Sequence, residues 1–193
     1  MKTLAFGAFA LAMLAGSAAA AQDQGNFGPA LPGVCFYHHD RVLAVSTAGQ
    51  SLISGIQRIQ QEVDTELQPH AQYIQGEVQA LQQGRTTIPQ DQLAQREQAV
   101  NQRIQDARAL QQTRENEVRY TLSVQRQTID QAADPIIMAL YTERGCGILL
   151  RAETVMRANP QMDLTEAVIQ RLNAALPTLP AFSRMAVPAQ PAQ

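Results

Sequence analysis

Apolar residues recur along this chain mainly at the period of an α-helix. Between about Ser46 and Gln83 they fall at Leu52, Ile56, Ile59, Val63, Leu67, Ala71, Ile74, Val78 and Leu81. The steps are three or four residues and average about 3.6, so one apolar stripe runs down a nearly straight helix. At about 1.5 Å per residue, such an arm reaches roughly 55 to 60 Å. Pro69 lies inside it and cannot donate a backbone hydrogen bond, which predicts a kink. Gly84-Arg85-Thr86-Thr87-Ile88-Pro89 then breaks the pattern. Gly84 suits the left-handed position that closes one helix, and Thr87 with Gln90 reads as a capping box opening the next. A second stripe follows from about Ile88 to Glu143, through Leu93, Val100, Ile104, Ala107, Val118, Leu122, Ile129, Ala133, Ile136 and Leu140. It is weak in the middle, where Gln111 and Arg114 occupy positions expected to be apolar, and Pro135 marks a bend near its end. Two long helices joined by a tight loop lie antiparallel, so residues 46–143 form a helical hairpin arm.

The flanks follow a different pattern. Val34-Cys35-Phe36-Tyr37 is a short β-branched and aromatic run after Gly33, and Asp40 is placed to cap a helical turn through Arg41 to Ala44. Beyond Arg144-Gly145, Cys146 to Leu150 reads as a second strand and Glu153 to Arg157 as a third. Asn159-Pro160 is a turn. Asp163, with Glu166 three residues on, opens a last helix whose apolar face is Leu164, Val168, Ile169 and Leu172, and Pro177 ends it. Residues 34–45 and 144–176 thus make a β-containing body, 22–33 a flexible lead-in, and the Pro- and Ala-rich residues 177–193 a disordered tail. The fold class is mostly α with a small β base, a long antiparallel hairpin rising from a small sheet. So thin a core needs a staple or partners, and homo-oligomerisation through the base is the natural solution.

Residues 1–21 read as a secretory signal peptide: Lys2, a short apolar run from Leu4 to Ala15, and small residues up to Ala21. That run is shorter than the roughly 20 residues of a membrane span. Removing it removes the only lysine and leaves 14 Arg against 17 acidic residues, a net charge of −3. Such a balance argues against nucleic acid as a partner. The exported compartment permits a disulfide between Cys35 and Cys146, one in each strand at the two ends of the hairpin; two small buried thiols are the plainer alternative.

Catalytic chemistry is hard to find. His38, His39 and Asp40 suggest a metal cluster only superficially, since adjacent histidines point apart and no third partner has suitable spacing. Neither a nucleophile arrangement nor a phosphate-cradling glycine loop is present. We expect no enzyme, cofactor or metal. Stripe residues Ile56, Ile59, Val63, Leu67, Ile74 and Val78 are candidates either for packing the hairpin or for contacting a client.

At this point the chain resembles the Skp/OmpH family of periplasmic chaperones. Asp40 to Gln50 is similar to that family's passage from first strand to long helix, with the small Ala48-Gly49 pair where helices approach closely. Asp134-Pro135-Ile136-Ile137, Glu143-Arg144-Gly145 and Ile148-Leu149-Leu150 resemble its return into the sheet, and Asp163 to Asn173 its closing helix. The resemblance spans about Gly33 to Leu176. It implies a homotrimer, a body with three tentacles, that shields unfolded outer-membrane proteins in the periplasm without ATP. The family's well-studied members are basic and lysine-rich, whereas here glutamine replaces much of the charge. Two other classes compete: a periplasmic adaptor, which needs sizeable β-domains flanking the hairpin, and a passive structural coiled coil of the envelope.

Overall fold

A computed structural model describes residues 27–189. The leader expected over 1–21 lies outside the described residues. Strand β1 (Val34–Tyr37) leads through helix α1 (His39–Val45) into helix α2 (Thr47–Gly84), which returns as helix α3 (Gln90–Glu143) to strand β2 (Ile148–Arg151). Two 3-10 turns, Ala152–Thr154 and Pro160–Met162, then lead to helix α4 (Thr165–Ala175). The two strands are parallel, with Val34 opposite Ile148 and Tyr37 opposite Arg151. Parallel strands require a long crossover, and here the whole hairpin is that crossover.

Helix α2 has 38 residues and α3 has 54, and neither Pro69 nor Pro135 ends its helix. Ser46 caps α2 by accepting the Gly49 N–H at 3.1 Å. Gly49 also lets α1 and α2 close up, because a Cβ there would sit 1.6 Å from the Leu43 carbonyl oxygen. At the far end of α3, Gly145 adopts φ 65°. Its N–H bonds the Thr142 carbonyl while the Cys146 N–H bonds that of Tyr141, a Schellman stop that turns the chain into β2.

The core lies where the foot of the arm meets the body. Ile59, Ile129, Leu140, Leu164, Val168 and Leu172 are enclosed there, and Cys35, Leu52, Ile56, Ala133 and Ile137 pack around them. Above Ile59 and Ile129 the arm is only two helices thick, and enclosed apolar residues become sparse: Val63, Leu81 and Val100. Cys35 and Cys146 are joined as a disulfide with Cα atoms 5.8 Å apart, linking the two ends of the arm across the base.

Several local expectations give way. The third strand is absent: Ala152–Thr154 is a 3-10 turn, and the third contact of the sheet is a bridge between Phe36 and Asp163. Asp40 does not cap α1, whose first residue follows His38 without a side-chain cap. Gly84 is not left-handed. Thr87 turns its hydroxyl back to the Gly84 carbonyl at 3.2 Å rather than capping α3, which opens after Pro89 with no side-chain cap. The tail, expected to be disordered, is held against the arm from Leu179 to Met185.

Candidate functional site

Among the described residues no three His, Cys, Asp or Glu side chains converge as metal ligands, and His39 instead faces Asp130 at 3.7 Å. No helix among them is long and apolar enough to cross a membrane. What the arm offers is surface.

Its apolar stripe divides by height. Ile56 and Ile59 lie inside the core and are closed to any partner. Higher up, the buried Val63 and half-buried Leu67 face Val118 across an open groove of about 490 Å³ whose rim carries Gln60, Gln111 and Arg119. Ile74 is half-buried, while Val78 near the tip is 36% exposed and Tyr73 52% exposed. The spacing of the stripe placed all six residues on one face. It did not reveal how far each of them is covered.

Ionic pairs replace apolar packing at mid-arm, at the weak stretch of the second stripe. Arg114 on α3 donates from Nη2 to Glu66 of α2 at 2.7 Å and from Nη1 to Glu117 at 3.0 Å. Arg184 joins both carboxylates, at 3.0 Å each. The Arg114 hydrogen bond, with Arg184 beside it, holds the Glu66 carboxyl below the usual glutamate value against the opposing effect of partial burial. Nearer the tip Arg96 reaches Glu77 across the hairpin at 2.8 Å. The signal for this network was available in the sequence as Glu66, Arg114 and Glu117; its third element, Arg184, was not.

Arg184 belongs to the segment after α4, which climbs the arm as an extended strap. Leu179 is buried and its N–H bonds the Ser51 hydroxyl at 3.0 Å. Phe182 lies against Gly55, where a Cβ would come within 2.3 Å of its ring, and its carbonyl accepts from Arg58. The Met185 N–H bonds the Thr121 hydroxyl at 2.8 Å, and Thr121 is fully enclosed. A Pro- and Ala-rich composition lacks the periodicity of a helix or strand, yet an extended chain needs none when a helix face supplies its partners.

The body carries a second surface. The outer edge of β2 has no strand partner among the described residues, and Ile148 and Leu150 are exposed on it. Phe27, Leu31, Leu150, Val155 and Met162 line an adjoining pocket of about 330 Å³.

A long helical hairpin is carried here as the crossover of a small parallel sheet, with uncovered apolar residues at its base. Residues 33–172 match the family model described as outer membrane protein (OmpH-like). The chain belongs to the OmpH-like family. It is also similar to the crystal structure of a protein from Caulobacter crescentus CB15, provisionally assigned there as an outer membrane chaperone (OmpH-like). The two share 34% identity with a TM-score of 0.73, over 85% of this chain and 96% of that one. No curated protein matches.

Proposed function

We propose that this protein is a periplasmic holding chaperone, a homotrimer that binds unfolded outer-membrane proteins and prevents their aggregation without ATP or catalysis. The observation that carries this reading is an arm whose upper part encloses its own stripe only in places. Val63, Leu67 and Val118 floor an open groove, and Tyr73 and Val78 are wet. Scattered weak apolar contacts among Gln and Arg hold a chain without fixing its geometry. The uncovered edge of β2 with Ile148 and Leu150 supports assembly through the base, since an unpaired apolar edge invites another chain. Cyclic symmetry would then set three arms around one space.

The test is suppression of aggregation of an unfolded outer-membrane barrel, followed by light scattering, with native mass spectrometry on the same sample. Suppression at about one trimer per client, with no hold on a folded control, is expected. No suppression at that ratio would favour a passive coiled coil, and equal hold on folded and unfolded substrates would mean unspecific adhesion. A stable monomer at micromolar concentration would remove the enclosed space.

A further inference from the structure

The C-terminal strap is bound as a ligand is bound. Its backbone N–H groups at Leu179 and Met185 are satisfied by the Ser51 and Thr121 hydroxyls, and its Phe182 carbonyl by Arg58. None of these contacts depends on the strap having secondary structure. Two side chains fix its register. Phe182 occupies a notch that exists because residue 55 is glycine, and Arg184 enters the paired carboxylates of Glu66 and Glu117. In an extended chain, residues two apart point the same way, so Phe182 and Arg184 reach the arm together. An extended segment also rises more than twice as fast per residue as a helix, so six residues, 179 to 184, can climb about 17 Å of the roughly 22 Å of α2 between Ser51 and Glu66, and the Arg184 side chain spans the rest.

We infer that this face is a receptor for an extended polypeptide bearing an aromatic side chain and an arginine two residues apart. The chain's own residues 177–189 occupy it until an unfolded client of that chemistry takes their place. The client half of the inference rests on the chaperone reading above; the receptor half does not. An unfolded barrel offers such pairs near the ends of its strands, where the aromatic girdles lie and an arginine two residues away on the same outward face is tolerated best.

The experiment uses the full chain, wild type and the F182A/R184A variant whose strap has lost both anchors. The probe is a fluorescein-labelled peptide of residues 177–189, with a control peptide carrying the same two changes. Because a tethered segment competes at an effective concentration of about millimolar, the probe should bind the variant at least about tenfold more tightly than wild type. The control peptide should not bind, and adding Gly55→Leu to the variant should abolish binding. Equal affinity for both chains, or none for the variant, would overturn the receptor. Hydrogen exchange on wild type guards against a variant that folds poorly: excess probe should deprotect the Leu179 and Met185 amides, and unchanged protection would also overturn it.

A denatured barrel protein then supplies the second arm. It should displace the probe from the variant. Probe binding without displacement would overturn the shared site while leaving aggregation suppression, and so the chaperone reading, intact. A barrel held by neither chain would defeat that reading whatever the probe does.

Discussion

Replacing Cys35 and Cys146 together by alanine asks how far the covalent link holds the base of the arm closed. The bond joins residues 111 apart in sequence, so it closes the entire arm into one loop. Restricting an unfolded loop of that size is worth about 4.8 kcal/mol in the chain-entropy treatment. Both cysteines are nearly enclosed, so loss of their sulfurs from the core adds to the cost rather than offsetting it. For a chain of this length, about 2 to 4 °C accompanies each kcal/mol, which places the fall in melting temperature at about 10 to 19 °C. The assay is thermal unfolding of both chains at one protein concentration, since assembly makes the midpoint concentration-dependent. Amide exchange supplies the location: β1, β2, α1, α4 and the foot of α3 should lose protection, while the tip around residues 84–89 should not. A fall of less than about 1 kcal/mol would refute the loop argument. Equal loosening of tip and base would refute the placement of the core.

Other substitutions separate packing from surface. Ile59→Ala removes a fully enclosed side chain and should cost about 2 to 5 kcal/mol in denaturant unfolding. Val78→Ala, near the tip, should stay within about 0.5 kcal/mol while weakening hold on an unfolded barrel. Leu150→Glu puts a charge on the uncovered sheet edge and should shift native mass toward single chains. Because Arg114 and Arg184 hold the Glu66 carboxyl below the usual 4.5, its grip on the strap is at full strength above that pH. The Glu66 share of that grip is lost only as pH falls through the lower folded value, and exchange at the Met185 amide reads it; Glu66→Gln should weaken this acid dependence, with Glu117 still paired to Arg184. Protection of an unfolded barrel should change little across a salt series, since salt screens exposed charges and leaves apolar contacts nearly untouched.

The two long helices were legible because their information is local and repeated. Nine apolar positions from Leu52 to Leu81 carry the 3.6 period, and six residues around Gly84 and Pro89 break it. The resemblance to the OmpH-like family was legible for a related reason: the order of strand, hairpin, strand and helix survives substitution of individual residues. Short elements were harder. Glu153 to Arg157 has strand-like residues, yet the chain turns as a 3-10 helix at Ala152–Thr154 directly after β2, and only Asp163 reaches the free edge of β1. At the tip, Thr87 had two backbone groups within reach, and only the geometry of the turn decided that it bonds the Gly84 carbonyl.

Which stripe residues a client can meet was also undecided in the sequence. Ile59 and Val78 share one periodic face, but the first is enclosed in the core at the foot of the arm while the second is 36% exposed near the tip. The strap lay furthest from sequence reading. Phe182 and Arg184 sit among Pro and Ala with no periodicity, and their partners Gly55, Glu66 and Glu117 are more than 60 residues away. Helical periodicity is a property of neighbours along the chain, so the sequence alone determined the arm. The strap is held by groups that meet only after the arm has formed, so tertiary structure alone decided where it binds.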